Sequence, residues 1–119
     1  MIYKNETERD TNECIQICRA FNLEPYTRKF LYYDSKGEKK AVAGLMWIND
    51  GEGLIVEPFI SLASMYGYRL WLSLEYLARD NGSHYIIGGS DNNNIARTLT
   101  KNGYKKYQTN INQFVKLLK

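Results

Sequence analysis

The chain has 119 residues, 44% of them hydrophobic and 24% charged, and a formal net charge of +3. Those values describe a single folded domain over residues 1–119 and exclude a disordered chain. No apolar run approaches the roughly 20 residues that cross a bilayer, and Met1-Ile2-Tyr3-Lys4-Asn5-Glu6 opens no hydrophobic stretch, so neither a membrane span nor a secretory signal is expected and a cytoplasmic chain is.

The first predicted element is a helix that starts at Asp10, with Glu13 three residues later, and fades near Asn22 before Pro25. Cys14, Ile17, Cys18 and Phe21 give it an apolar stripe at i, i+3, i+4 and i+7. Buried, reduced thiols that pack as small hydrophobes are expected there. A metal site is not, because His84 is the only histidine and no third cysteine exists. Phe30-Leu31-Tyr32-Tyr33 reads as a strand, and Asp34-Ser35-Lys36-Gly37 as a turn. Ala41 to Ile48 is a second strand, closed by Asn49-Asp50-Gly51. Gly53 to Ile60 is a third, and Pro58 inside it demands a bulge or an edge because proline has no N–H for the ladder. Three antiparallel strands in a meander follow.

After Gly67 the period lengthens to 3.6. Leu70, Trp71, Leu74, Leu77 and Ala78 share one helical face, and Asn81-Gly82 ends the helix. Tyr85-Ile86-Ile87 is a short apolar strand suited to a sheet centre. Asp91 is placed to cap a last helix, with Ile95, Ala96 and Leu99 inward and Gly103 as its stop. Tyr104 to Tyr107 and Phe114 to Leu118 give two closing strands around Asn110. The lysines are scattered (Lys36, Lys39, Lys40, Lys101, Lys105, Lys106), so nucleic-acid binding would require both groups to converge on one face.

The element order, the run from Asp91-Asn92-Asn93-Asn94 to Lys101-Asn102-Gly103-Tyr104, and Val56-Glu57-Pro58-Phe59-Ile60 ahead of a glycine-containing loop together resemble the GNAT superfamily of N-acyltransferases. The likeness spans nearly the whole chain. It implies an α+β fold in three layers, with a mixed, mostly antiparallel sheet and helices on both faces. It also implies acetyl-CoA in a cleft where two parallel strands splay apart, and transfer of an acetyl group to an amine of a protein or small molecule. On that resemblance Phe59, Ile60, Ser61, Tyr66, Gly67, Tyr68, Arg69 and Asn92 would contact the cofactor, and Glu57 would be the base that takes the amine's proton.

The family's phosphate loop reads Gln/Arg-x-x-Gly-x-Gly/Ala, with glycines because backbone N–H groups must approach the phosphates. In one register this chain has Ser64-Met65-Tyr66-Gly67-Tyr68-Arg69, keeping one glycine. In the other, favoured by the periodicity from Leu70, it has Tyr66-Gly67-Tyr68-Arg69-Leu70-Trp71, keeping neither. Large side chains are then expected in the phosphate path, with Arg69 either supplying a guanidinium instead or simply solvated. Glu57 is otherwise an outward-facing strand residue. The tyrosine that many members carry in the last helix is replaced by Thr98-Leu99-Thr100, leaving Tyr66 or Tyr104 as the substitute acid if the fold brings one near. No Ser/His/Asp or Cys/His set occurs. The closing segment also resembles short phage-encoded acyltransferase-like proteins, including internal virion proteins of short-tailed phages. The second function is therefore a catalytically silent, structural or interaction protein of the same fold, a phage virion component among the cases.

Overall fold

The computed structural model of the chain describes residues 1–89, 93–108 and 111–118. In chain order the elements are β1 (Ile2–Lys4), α1 (Glu8–Ala20), β2 (Phe30–Ser35), β3 (Glu38–Ile48), a short 3-10 turn (Asn49–Gly51), β4 (Gly53–Ser61), α2 (Ser64–Asp80), β5 (Tyr85–Gly89), α3 (Asn93–Lys101), β6 (Lys105–Gln108) and β7 (Ile111–Leu117). The strands make one sheet in the order β1-β2-β3-β4-β5-β7-β6. Every neighbouring pair is antiparallel except β4 and β5. The architecture is the expected α+β one, with helices on both faces.

Alternation along the strands sends side chains to two cores. On one face Phe30, Tyr32, Val42 and Ile60 meet Cys14 and Cys18 of α1. On the other, Leu31, Ala43, Leu45, Leu54, Val56 and Ile86 meet Leu70, Trp71, Leu74 and Ala78 of α2 and Leu99 of α3. Leu70 and Leu74 are fully buried, and each contributes roughly 2 kcal/mol of apolar burial. Both thiols are free and buried. Burial pushes Cys14 up to about 12 and Cys18 up to about 11, so neither is a nucleophile at neutral pH.

Several boundaries differ from the sequence expectation. β1 is additional: its three residues are too few to show a period, and it is held along β2 with Ile2 opposite Tyr33. The α1 cap is Thr7, whose Oγ1 accepts from the Asp10 N–H at 3.0 Å. Asp10 therefore lies in the first turn, where it and Glu13 accept from the buried Lys39 at 3.3 and 2.7 Å. Phe21 is exposed beyond the end of α1 and does not extend the stripe. β3 starts at Glu38 because Lys36 and Gly37 alone make the turn, both with positive φ, the geometry of a two-residue hairpin loop. The last two strands are Lys105–Gln108 and Ile111–Leu117. Asp91 and Asn110 lie outside the described residues.

The largest difference is α2, which begins at Ser64 rather than near Leu70. Its buried stripe is Gly67, Leu70, Trp71, Leu74, Glu75 and Ala78. Two of those six inward positions, a glycine and a glutamate, carry no hydrophobic signal, so the pattern looks shorter than the helix.

Candidate active site

Pro58 produces a bulge, and in a central strand. Between the pairs Ala43–Phe59 and Leu45–Val56, β3 contributes only Gly44 while β4 contributes Glu57 and Pro58. The extra residue bends β4 and puts Val56 and Phe59 on the same face. Gly44 permits this: a Cβ there would overlap the Glu57 carbonyl and lie 3.1 Å from Pro58 Cδ. On the other side of β4, the parallel pairing with β5 runs from Gly53–Tyr85 to Val56–Gly88, and no further pair joins the two among the described residues. β4 continues to Ser61. The two parallel strands thus form a fork whose apex is Val56–Gly88 and whose β4 prong is the bulged segment.

From Ser61 the chain turns through Leu62 and Ala63 into α2, whose N-cap Ala63 has no side-chain cap. Leu62, Ala63, Ser64 and Met65 are exposed, so the first N–H groups of α2, the positive end of its dipole, lie at the surface beside the fork. The Ser61 hydroxyl donates to the Ala63 carbonyl. Gly67 lies one turn further on, with its N–H on the Ala63 carbonyl at 3.1 Å. A Cβ on Gly67 would come within 2.8 Å of Ser61 Oγ, so this glycine seats the helix against the end of β4. The registers read from sequence leave Tyr66 and Tyr68 ahead of the helical stripe that starts at Leu70, whereas both lie within α2, as the expected Trp71 does. Tyr66 leans away onto Tyr33, their ring centroids 5.0 Å apart, and the turn itself carries small Ala63 and Ser64.

The candidate residues separate into three groups. Phe59, Ser61, Gly67 and Tyr68 gather on the α2 side; Phe59, Gly67, Tyr68, Trp71, Leu72 and Leu99 are among the residues lining a cavity of about 40 Å³ between α2 and α3. Tyr66 and Arg69 turn toward β2, where Arg69 Nη1 donates to Tyr33 Oη at 3.3 Å; Arg69 has no ion pair among the described residues. Ile60 faces the other way, into the α1 core. Glu57 is exposed on the bulge. Asn92 lies outside the described residues. The two lysine groups are far apart in the sheet, since β4, β5 and β7 stand between β3 and β6.

The sequence reading passes over one buried polar network. Glu75 on α2 is 5% exposed. Tyr104 Oη donates to its Oε1 at 2.6 Å, and Trp71 Nε1 donates to Tyr104 Oη at 2.6 Å. Lys116 Nζ and Arg79 Nη1 approach the same carboxylate at 3.4 Å. Burial, and then the hydrogen bond to Glu75, holds the Tyr104 phenol far above its ordinary value, so Tyr104 stays protonated and is committed to Glu75. The available signal was a charged residue at i+4 from Trp71, between Leu74 and Ala78, on a face that is otherwise buried.

Trp71 is the part of this network that reaches the fork. Its ring stands over Gly88 at the apex, where an added Cβ would overlap the indole and lie 3.0 Å from Cζ2 and Cζ3. Phe59 on the opposite prong meets it edge to face at 5.0 Å. On the other side of the sheet the apex is flanked by half-buried Ile55 and Ile87, because α1 packs on β2 and β3.

No protein-family model matches the sequence, and no curated protein matches it. Solved structures do. An aminoglycoside 6'-N-acetyltransferase complexed with coenzyme A superposes with a TM-score of 0.74 at 12% identity, over 98% of this chain and 96% of that one. Tetrahymena GCN5 gives 0.75 at 13% identity, over 99% and 94%. N-acetylglutamate synthase from Neisseria gonorrhoeae, complexed with coenzyme A and L-arginine, gives 0.75 at 14% identity; 98% of this chain is matched, to 33% of that one. The chain therefore has the α+β fold of the GNAT acetyltransferases. Among the described residues no helix is long and apolar enough to cross a membrane.

Proposed function

We propose that the fork between β4 and β5 binds an acyl-coenzyme A and that the chain transfers a short acyl group, acetyl in the simplest case, to an amine. One observation carries this reading: among the described residues the parallel pairing of β4 with β5 ends at Val56–Gly88, where a bulge turns β4 aside ahead of a helix N-terminus with no side-chain cap. The residues present fit such a ligand. The prong from Glu57 to Ser61 has backbone without a parallel partner, suited to an amide-bearing arm. The first N–H groups of α2, at Ser64, Met65 and Tyr66, suit a pyrophosphate, and Arg69, without a carboxylate partner among the described residues, lies one turn further along α2. Solved structures of this fold that hold coenzyme A give support of the same kind.

Acyl-coenzyme A supplies a thioester, whose carbonyl carbon takes the amine nitrogen as the C–S bond breaks and sulfur leaves as thiolate. Glu57 is the carboxylate nearest this point along the chain, and its role is to take the proton that the amine nitrogen sheds. Approach of the amine is assigned to the Ile55 and Ile87 side, where α1 packs on β2 and β3 rather than on the fork. Tyr104 is not the acid for the leaving group, because its hydroxyl proton is held by Glu75.

Calorimetric titration with acetyl-coenzyme A, alongside thermal melts at matching concentrations, tests the reading. Micromolar binding with an upward shift of the melt is expected. Absence of binding at millimolar ligand would replace it with the second reading, a catalytically silent protein of this fold working through a partner, a virion component being one such case. What favours that alternative is the exposed apolar side chains of Leu62, just ahead of α2, and of Met65, Tyr68 and Tyr76 on it.

A further inference from the structure

The two faces of the fork are built differently, and the difference bears on which acyl groups fit. On the α2 face the apex is walled. Trp71 occupies the volume a side chain at Gly88 would take, and it spans to Phe59 on the other prong. The indole is only 5% exposed, its N–H is satisfied by Tyr104, and Tyr104 is anchored on Glu75. Swinging it aside would strand that N–H and open the core. The cavity that Trp71 lines between α2 and α3 has a volume of about 40 Å³, on the scale of one to three water molecules. On the opposite face the apex is flanked by Ile55 and Ile87, which are only half-buried.

We propose that Trp71 sets the acyl length: its indole, held by Tyr104 and Glu75, closes the α2 side of the fork and restricts the chain to short acyl groups. This rests on the fork being the acyl-coenzyme A site. An acyl chain of several methylenes turned toward α2 meets the indole. Turned the other way, it occupies the side assigned to the amine. A two-carbon acyl group avoids both. Packed interiors accept added methylenes poorly, and differences of one or two methylenes already change selectivity tens of fold in a closed apolar site.

The test is calorimetric binding of coenzyme A, acetyl-coenzyme A and octanoyl-coenzyme A to the wild-type chain, Trp71→Ala and Trp71→Phe. The wild type is expected to bind acetyl- at least tenfold more tightly than octanoyl-coenzyme A. Trp71→Ala is expected to raise the octanoyl affinity at least tenfold relative to its own coenzyme A affinity, with Trp71→Phe between. In a Trp47→Phe background, where Trp71 is the only remaining tryptophan, its emission is expected to shift on adding acetyl-coenzyme A. If Trp71→Ala does not fold, the wild-type preference and the emission shift carry the test. Equal binding of the two acyl forms by the wild type, or an unchanged ratio in the variants, overturns the assignment of Trp71 while the fork remains the site. No binding of any of the three overturns the acyl-coenzyme A reading itself, and this inference with it.

Discussion

Under α1, only 7% of the Lys39 side chain is exposed where it lies between Asp10 and Glu13, over the ring of Tyr32. Under α2, Glu75 is buried to a similar degree among Tyr104, Lys116 and Arg79. The first cluster closes on itself. Its two carboxylates reach solvent, and the lysine ties α1 to β3. The second cluster passes through Tyr104 to the Trp71 indole and so to the apex of the fork. Of two buried charges in one small domain, one attaches a helix, and the other also holds the indole that stands over the apex of the fork. What separates them is the chain of hydrogen bonds leading outward, not burial.

The contrast can be sharpened by substitution. Glu75→Ala should have the largest effect, costing about 3 kcal/mol because it removes the acceptor of Tyr104 and the counter-charge of two cations; urea unfolding would measure it. A loss as small as that of a surface site would mean the network is not holding the indole. Gly88→Ala should cost about 2 kcal/mol by forcing the indole off the apex, read as a lower melting midpoint. Lys39→Met should cost less than either, since a methionine of similar reach keeps the packing on Tyr32 and both carboxylates can turn to water.

The Lys39 cluster also has a signature in pH. The Lys39 hydrogen bonds hold Asp10 and Glu13 below the ordinary carboxylate range. Burial opposes the charge of Lys39, but the hydrogen bonds to Glu13 and Asp10 outweigh it and raise its value. Groups with lowered folded values stabilise the fold above about pH 4, and that share is lost as pH falls through the lowered values. Acid unfolding of Lys39→Met should accordingly show a shallower dependence below pH 4 than the wild type, and identical profiles would count against the pairing. Smallest of all, Arg9→Ala removes an exposed pair with Glu13, and no measurable change in the melting midpoint is expected.

Much of this was legible in the sequence because it rests on local rules. Pro58 announced a bulge or an edge, since a proline in an otherwise strand-like run has to be accommodated, and the structure has the bulge. The turn residues at 34–37 and 49–51 marked the meander, and the thiols read as core from their spacing. The parts that were not legible depend on contacts between distant residues. Gly67 looks like a phosphate-loop glycine until Ser61 is seen beneath it. Glu75 looks like surface until Tyr104, 29 positions away, is seen to donate to it. β1 owes its conformation to β2 alone. The start of α2 was misplaced because its first inward residue has no side chain, and that error moved the whole turn beside the fork.

Hydrogen exchange with and without coenzyme A would test most directly whether the fork is the ligand site. Slowed exchange across residues 57–66, with α1 and the β2–β3 hairpin unchanged, is the expected result. Protection confined to other elements, or none at saturating ligand, would contradict it.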